Sequence, residues 1–269
     1  MSPEDYLRGG QLEEALAGLK EAIKKEPADG KKRIFLFQLL CVLGQWDKAH
    51  TQLQVLGDMD AESMLMAQIF GPALQCESLR EEIFSGKRSP LIFGEPAEWV
   101  GLLVQANQLL AEGQVAAAQD LRERAFASAP ATAGKLNGQP FEWIADADSR
   151  IGPMLEAIID GKYYWVPFFR IRSIGIEPPQ DLRDMVWTTA QFTWVNGGQK
   201  AALIPTRYPG TATLNDSGLR LSRRTEWAEI AGETYIGSGQ RILATDIAET
   251  PLLEVRTIEI FPDASAPAQ

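Results

Sequence analysis

The sequence predicts an α+β protein, in which an N-terminal TPR-like (tetratricopeptide-like) helical repeat domain is followed by a β-rich α+β C-terminal domain. Apolar residues recur at helical spacing, three and four positions apart, up to about residue 130. Part of this pattern repeats after 34 residues, which is the period of tetratricopeptide repeats. Beyond residue 162, aromatic and β-branched runs alternate with Gly- and Pro-rich breaks, which is typical of strands and turns.

The repeat is clearest around two glycines, Gly10 and Gly44, which are followed at the same offset by Ala15 and Ala49. An alanine is expected where the two helices of a repeat cross most closely, and the glycine ends the first helix and permits the turn. A third copy begins at Gly113. The stacked helices predict either a surface that binds a peptide or helix, or a packed platform for the second half.

Residues 61–93 lie between the second and third copies and predict a degenerate repeat. Gly71-Pro72 falls inside this segment. Because proline has no N–H to donate to the helical ladder, a break or kink is expected there.

Composition predicts a domain boundary after the third copy. Residues 131–140 are rich in Gly, Pro and small residues and predict a linker. The helical domain is therefore expected over residues 1–130 and the β-rich domain over residues 141–261. Residues 262–269 are expected to form a disordered tail.

The first element of the second half is predicted to be a helix over residues 144–159, because its apolar residues fall roughly on one face and Gly161 follows as a stop. Gly152-Pro153 lies inside this segment, so the alternative is a turn followed by a helix that starts near Pro153. Residues 163–176 predict one or two strands, and residues 181–185 suit a short helical turn. A hairpin with a Gly-rich turn is expected over residues 192–204.

Charge and cysteine content limit the function. The chain has 26 basic and 36 acidic residues, for a net charge of −10, and the two halves share this excess equally. No basic face is therefore expected for nucleic acid or an anionic membrane. Cys41 and Cys76 lie in apolar helical segments and are expected to be buried free thiols. No membrane span or signal peptide is recognised, which favours a cytoplasmic protein.

The stretch from residue 141 to residue 210 is the candidate functional region, because it is dense in Trp, Tyr, Asp and Arg. Arginine and the large aromatic residues dominate the energetics of protein interfaces. The side chains predicted to bind a partner are Trp143, Asp146, Asp148, Arg150, Tyr163, Tyr164, Arg207 and Tyr208.

Asp146 and Asp148 are the best candidates for chemistry, because two carboxylates two residues apart can hold a divalent cation. The alternative is that they cap a helix or form ion pairs with Arg150, Arg170 or Arg207. With a single histidine and no phosphate-binding glycine motif in the chain, neither a nucleophilic triad nor a nucleotide loop is predicted. No cofactor is expected.

Several long motifs of this chain resemble the ImpE family, also called SciE or TagJ, an accessory protein of bacterial type VI secretion systems. The resemblance extends over nearly the whole chain and is carried by residues 80–99, 141–150, 161–167, 181–187, 202–210 and 239–246.

The resemblance implies a non-enzymatic, cytoplasmic protein that binds the N-terminal region of the small sheath subunit, TssB, and is thereby linked to the ClpV ATPase. It supplies no catalytic residues. A groove that holds an amphipathic helix of the sheath subunit is the leading hypothesis. The alternatives are a metal-dependent enzyme acting on a phosphorylated or sugar substrate at Asp146 and Asp148, and a homo-oligomer that associates through its repeat face.

Overall fold

The computed structural model describes residues 1–262 and confirms the α+β class. Residues 263–269, which make up most of the predicted tail, lie outside the described residues. The helices are α1 (Pro3–Arg8), α2 (Leu12–Lys25), α3 (Gly30–Val42), α4 (Trp46–Gly57), α5 (Ala61–Phe84), α6 (Glu98–Ala111), α7 (Val115–Ser128) and the short α8 (Ser217–Arg220).

The repeat glycines have the conformation that the sequence predicts. Gly10, Gly44 and Gly113 have φ angles of 75°, 65° and 79°, a left-handed conformation that favours glycine at a helix end. Ala15 and Ala49 are fully buried, as expected for the positions where paired helices approach most closely. The steric prediction for the repeat is therefore confirmed at these positions.

The α5 helix continues without interruption through Gly71-Pro72, where the sequence predicts a break or kink. A proline inside a helix costs about 3 kcal/mol. Phe70, Leu74 and Ile83 on the same helix are buried, and each such burial contributes about 1.5–3 kcal/mol. Burial on both sides of the proline therefore outweighs its local cost, and the helix is preserved.

The second half of the chain is built mainly from strands joined by short connections. Its three-ten helices are Phe168–Arg170, Leu182–Met185, Thr211–Thr213 and Leu252–Glu254. The strands, of which only β1 precedes residue 130, are β1 (Leu91–Ile92), β2 (Gly134–Leu136), β3 (Gln139–Phe141), β4 (Ile144–Asp146), β5 (Met154–Ile159), β6 (Lys162–Pro167), β7 (Ile171–Ile176), β8 (Trp187–Trp194), β9 (Gln199–Pro205), β10 (Thr225–Ala231), β11 (Thr234–Gly239), β12 (Ile242–Thr245), β13 (Glu249–Pro251) and β14 (Thr257–Ile260).

Nine strands form the main sheet, in the order β1-β6-β5-β9-β8-β7-β14-β2-β3. The β1–β6 pair is parallel, and the other neighbours are antiparallel. A β10–β11 hairpin and a three-stranded sheet, β13-β12-β4, complete the strands of the described chain. The predicted hairpin over residues 192–204 corresponds to β8 and β9, and the strands predicted after residue 163 correspond to β6 and β7.

The predicted linker at residues 131–140 is corrected, because it contains β2 and most of β3. Asn137 and Gly138 join these strands with φ angles of 50° and 83°. An Asn-Gly pair with two positive φ angles is a favoured two-residue hairpin turn. The Gly and Pro content of the segment thus marks a hairpin at the edge of the sheet. The division of the chain into domains at residues 1–130 and 141–261 stays a prediction.

The predicted helix over residues 144–159 is wrong, because the segment forms β4, a turn and β5. All six residues of β5 are buried. A strand that is buried on both faces is a continuous apolar run, and periodicity alone does not separate such a run from a buried helix. The Gly152-Pro153 turn is the local signal that favours two strands.

The helices and the main sheet share a hydrophobic core. In β6, Tyr163 and Trp165 pack with the helical residues, whereas Val166 packs in a second cluster on the opposite face of the sheet. This division follows from the alternation of side chains along a strand. The ring of Trp165 lies 5.6 Å from that of Phe84 on α5. The first half of the chain is therefore anchored on one face of the sheet.

Cys41 and Cys76 are buried and free, as predicted. Burial, with a further contribution from the neighbouring Glu77, raises the pKa of the Cys76 thiol to about 12. Among the helices of residues 1–262, none has both the length and the apolar character needed to cross a membrane.

Candidate functional site

The residues predicted to bind a partner fall into two groups in the structure. Trp143 is 41% exposed and Tyr164 is half-buried. Each of the other predicted side chains is at most 9% exposed, namely Asp146, Asp148, Arg150, Tyr163, Arg207 and Tyr208. Because these six side chains present almost no surface, their contacts argue for a structural role in place of the predicted partner contact.

The six buried residues belong to a polar cluster between the helices and the sheet, which we call the seam cluster. Its charged members are the carboxylates Glu77, Asp146, Asp148 and Glu156 and the guanidinium groups of Arg80, Arg150, Arg207 and Arg241. These four positive and four negative charges balance, and a fifth buried guanidinium group, that of Arg122 on α7, is near enough to Asp148 and Arg150 for their charges to act on its pKa. Such balance is required where ions are removed from water.

Glu156 on β5 is the centre of the seam cluster, because it pairs with two guanidinium groups. Arg80 on α5 donates to its two carboxylate oxygens at 2.5 and 2.9 Å, and Arg241 donates from the other side. The Tyr163 hydroxyl also donates to Glu156. Burial raises the pKa of Glu156, but the two guanidinium groups outweigh that effect and lower the pKa to about 2. Glu156 therefore holds the helical half and the sheet together as an ion.

Asp146 on β4 shares the Arg241 guanidinium with Glu156. Its carboxylate also accepts hydrogen bonds from the Tyr208 hydroxyl, at 3.1 Å, and from the backbone N–H of Asp148, at 2.9 Å. Burial raises the pKa of Asp146 to about 6; Arg241 opposes this effect, and the nearby Asp148 adds to it. Asp146 pairs only with Arg241, which it shares, whereas Glu156 pairs with both Arg80 and Arg241. The charged form of Asp146 is therefore less stabilised than that of Glu156.

Asp148 and Arg150 form the local ion pair that the sequence offers as an alternative to a metal site. The Nη2 atom of Arg150 lies 2.6 Å from Oδ2 of Asp148, and its Nε atom donates to Oδ1 at 2.9 Å. The same guanidinium lies over the ring of Phe84, 4.8 Å from its centroid. Asp148 also accepts from the backbone N–H of Gly237 at 3.0 Å. The Asp148–Arg150 pair thus connects α5, the turn before β5 and the β10–β11 hairpin.

Arg207 binds carbonyl oxygens of the polypeptide backbone. Its guanidinium donates to the carbonyl oxygens of Cys41 at 3.2 Å and Val42 at 2.8 Å, which lie at the C-terminal end of α3. Arg220 contributes a third carbonyl at 2.7 Å. Burial lowers the pKa of Arg207 to about 10, against a smaller opposing effect of Glu77. The negative end of the α3 dipole therefore takes the place of a carboxylate partner.

These contacts favour ion pairing over a metal site at Asp146 and Asp148. Each carboxylate already faces a guanidinium group and one or more hydrogen-bond donors. A divalent cation prefers carboxylate oxygens that are free to bind it. Over residues 1–262, no three His, Cys, Asp or Glu side chains converge in a metal-binding arrangement. The donor set of the seam cluster fits a structural role.

Four charged members of the cluster are not among the predicted site residues, namely Glu77, Arg80, Glu156 and Arg241. Glu156 carried a usable signal, because it is a lone carboxylate within the apolar run of residues 154–159. A charge in such a run is seldom buried without a partner. The identity of the partner carries no comparable local signal.

Gly237 offers a test of how tightly the β10–β11 hairpin packs on the seam cluster. A Cβ atom at this position would lie 2.3 Å from the Tyr208 ring, so Gly237→Ala is expected to lower the free energy of unfolding by about 1–3 kcal/mol. Urea unfolding measures the change. Gly175→Ala is the matched control in β7, where an added Cβ meets nothing within 4 Å. Equal stability of the two variants would show that the hairpin does not rest on Tyr208.

A surface groove of about 600 Å³ lies between helices of the first half. It is lined by α2 residues from Glu13 to Lys24, with further residues from α3 and α4. The apolar lining residues are Leu16, Ala17, Ile23 and Leu36, and the polar ones are Glu13, Lys20, Glu21, Lys24, Arg33 and Gln52. The groove therefore combines apolar and charged lining, which a partner must match.

Comparisons with known proteins agree with this architecture. The family described as ImpE protein matches residues 138–259, and a tetratricopeptide repeat family matches residues 6–69. The chain is 46% identical over 262 residues to the type VI secretion system accessory component TagJ of Pseudomonas aeruginosa. The alignment covers 97% of this chain and 92% of that protein.

A crystal structure of protein VPA1032 from Vibrio parahaemolyticus has the same fold, with a TM-score of 0.88. The alignment covers 97% of this chain and 98% of the other at 24% identity. The tetratricopeptide match confirms the class of the N-terminal half. Full-length identity to TagJ, together with the match of the second half to the ImpE family, shows that this chain belongs to the ImpE family.

Proposed function

We propose that this protein is a non-enzymatic accessory protein of type VI secretion that acts by binding another protein. The similarity to TagJ along nearly the full length of both chains supports an accessory role in type VI secretion. The groove on the helical half is the observation that carries the binding role. The seam cluster supports it indirectly, because its charges are engaged in holding the fold together.

The dimensions of the groove suit a helix. The α2 lining extends from Glu13 to Lys24, which is about 16 Å or about three helical turns at 1.5 Å per residue. A helix of three turns presents apolar side chains at positions i, i+3, i+4 and i+7. The apolar floor of Leu16, Ala17 and Leu36 is suited to receive them, and the charged residues beside it suit the polar flanks of an amphipathic helix.

The proposed occupant is the N-terminal helix of the small sheath subunit, the TssB-type partner that the family resemblance implies. Binding there would link the protein to the sheath in the cytoplasm and, through the sheath, to ClpV-dependent disassembly. The anchoring of α3, which lines the groove, supports this adaptor role, because a firmly anchored groove loses little conformational entropy when a helix binds. Arg207 donates to the carbonyl oxygens of Cys41 and Val42 at the end of α3.

Blocking the groove is expected to abolish this interaction. Ala17 is exposed in the floor of the groove, so Ala17→Trp fills the space without disturbing the core. Calorimetric titration with the N-terminal peptide of the small sheath subunit should show affinity at least about tenfold lower than for the wild type, or about 1.4 kcal/mol.

Ala117→Trp is the matched control, because Ala117 is an exposed alanine of α7 outside the groove. Its affinity for the peptide should equal that of the wild type. A complementary pull-down uses the sheath subunit without its N-terminal helix. Undiminished binding to that truncated subunit, or to the Ala17→Trp variant, would contradict the proposed mode of binding.

A further inference from the structure

The first half of α5 carries an uncovered apolar face. Leu65 is 58% exposed, Met64 49% and Ile69 47%. Leu65 and Ile69 are four residues apart, so they lie on the same side of the helix, and Met64 flanks them. Large apolar side chains grouped on one helix face commonly mark an association surface.

The repeat pattern explains why this face is bare. One period of 34 residues after Gly44, the turn of a third helix pair would fall near Ser78. The α5 helix instead continues through Ser78 to Phe84, and the chain then enters the main sheet at β1. The third repeat therefore lacks a second helix. In a stack of helical repeats, each repeat buries its apolar face against a neighbouring repeat. A terminal repeat without such a neighbour usually has a polar outer surface.

The sheet takes the place of the missing helix only along the second half of α5. Cys76 contacts the carbonyl oxygen of Gly161 at 3.5 Å, and Pro72 lies against Gly161 at the β5–β6 turn. Leu65 and Ile69 continue the side of α5 that includes Pro72, since residues 65, 69 and 72 follow helical spacing. They lie beyond the turn, where the sheet does not cover them.

We propose that a second copy of this chain covers the face, with the two α5 helices packed antiparallel about a two-fold axis near residues 65–69. Each α5 would then supply the helix that the third repeat of the other copy lacks. A two-fold interface requires a self-complementary surface. Leu65 and Ile69 meet this requirement, because an axis midway between them sets Leu65 of each copy opposite Ile69 of the other, so that both contacts are apolar.

Charge favours this antiparallel arrangement. The acidic residues Asp58, Asp60 and Glu62 cluster at the N-terminal end of α5. A two-fold axis between residues 65 and 69 sets position 62 of one helix opposite position 72 of the other. Position 72 is about 15 Å along its own helix from the acidic cluster of that copy. The arrangement therefore separates the like charges that a parallel pair would bring together.

The region around Pro72 offers the opposite charge. The β5–β6 turn beside it carries Lys162, and Lys200 pairs with Asp160 in the same turn at 2.9 Å. These three side chains have a net charge of +1. In the proposed dimer, the acidic end of one α5 lies near this positive turn of the other copy. The electrostatic contribution is expected to weaken with salt, because the charges are exposed.

Sedimentation equilibrium of the full chain tests the proposal. The wild type should show a monomer–dimer equilibrium, and Leu65→Glu/Ile69→Glu should raise the dissociation constant at least about tenfold. Both positions are exposed, so an unchanged circular dichroism spectrum is expected for the variant. A wild type that remains monomeric up to its solubility limit, or a dimer unaffected by the double substitution, would overturn the proposal.

A charge exchange tests the orientation. Glu62→Lys and Lys162→Glu should each weaken the dimer, and the two together should restore most of the affinity. Two single losses that simply add in the double variant would contradict the antiparallel pairing. The sheath-peptide titration of Leu65→Glu/Ile69→Glu should equal that of the wild type, so failure of this proposal is distinguishable from failure of the groove.

Discussion

Replacement of Glu156 by glutamine is expected to lower the free energy of unfolding by about 3–5 kcal/mol, because it breaks a buried ion cluster from one side. Glu156 is fully buried and pairs with both Arg80 and Arg241. Glutamine occupies the same volume but brings no negative charge. Two guanidinium groups would then remain in the interior with reduced compensation, because Arg241 would keep only Asp146 and Arg80 only Glu77, at 3.5 Å.

The effect should be specific to this position. Glu259→Gln is a suitable control, since Glu259 is an exposed residue of the same sheet, on β14. Urea unfolding should give the control a change below about 0.5 kcal/mol. A loss below about 1 kcal/mol in Glu156→Gln would mean that Arg80 and Arg241 do not depend on its charge. The seam cluster would then not be the element that joins the helices to the sheet.

Helical periodicity and turn residues explain how much of the fold could be predicted. Gly44 and Ala49 identify a repeat because each is required by a local steric constraint. Such a constraint involves residues that are close in sequence, so the sequence alone reveals it. The sequence of β5 predicts a helix wrongly, because a strand that is buried on both faces lacks the apolar–polar alternation that identifies a strand. The Asn137-Gly138 pair is a local turn signal, but the small residues around it favour a linker over a hairpin.

The candidate site shows the same division between local and distant information. The Asp148–Arg150 pair could be anticipated, because its members are two residues apart. Arg80 and Glu156 are 76 residues apart, and Arg241 and Asp146 are 95 apart. Pairing over such distances depends on the folded topology, which one sequence does not reveal. Asp146 and Arg207 were therefore recognised as polar residues of importance without their actual partners.

Acid titration is expected to separate the two carboxylates that share Arg241, because their pKa values move in opposite directions. The pKa of Glu156 is lowered to about 2 from an ordinary value of 4.5. A lowered pKa means that the ionised carboxylate stabilises the folded state above pH 4.5, and that this contribution is lost as the pH falls toward 2. The full contribution corresponds to about 3 kcal/mol.

The pKa of Asp146 is shifted in the opposite direction, so its effect on stability has the opposite dependence on pH. Its pKa is raised to about 6 from an ordinary value of 3.8, so the folded state binds the proton more tightly than the unfolded chain. Protonation therefore favours folding as the pH falls from above 6 to about 3.8. The pH range over which protonation of Glu156 changes stability and the range over which protonation of Asp146 does so overlap only between about pH 3.8 and 4.5. The contributions of the two carboxylates to stability can therefore be separated by experiment.

Urea unfolding between pH 7 and pH 3 of the wild type, Glu156→Gln and Asp146→Asn provides the measurement. The stability gap between the wild type and Glu156→Gln should stay constant down to about pH 4.5 and then narrow by about 2 kcal/mol by pH 3. Relative to Asp146→Asn, the wild type should instead gain stability below about pH 6. A gap that stays constant in both comparisons would show that the seam cluster does not set the ionisation of either carboxylate. Opposite trends in the two comparisons would confirm that Arg241 is shared unequally, with Glu156 held as the ion.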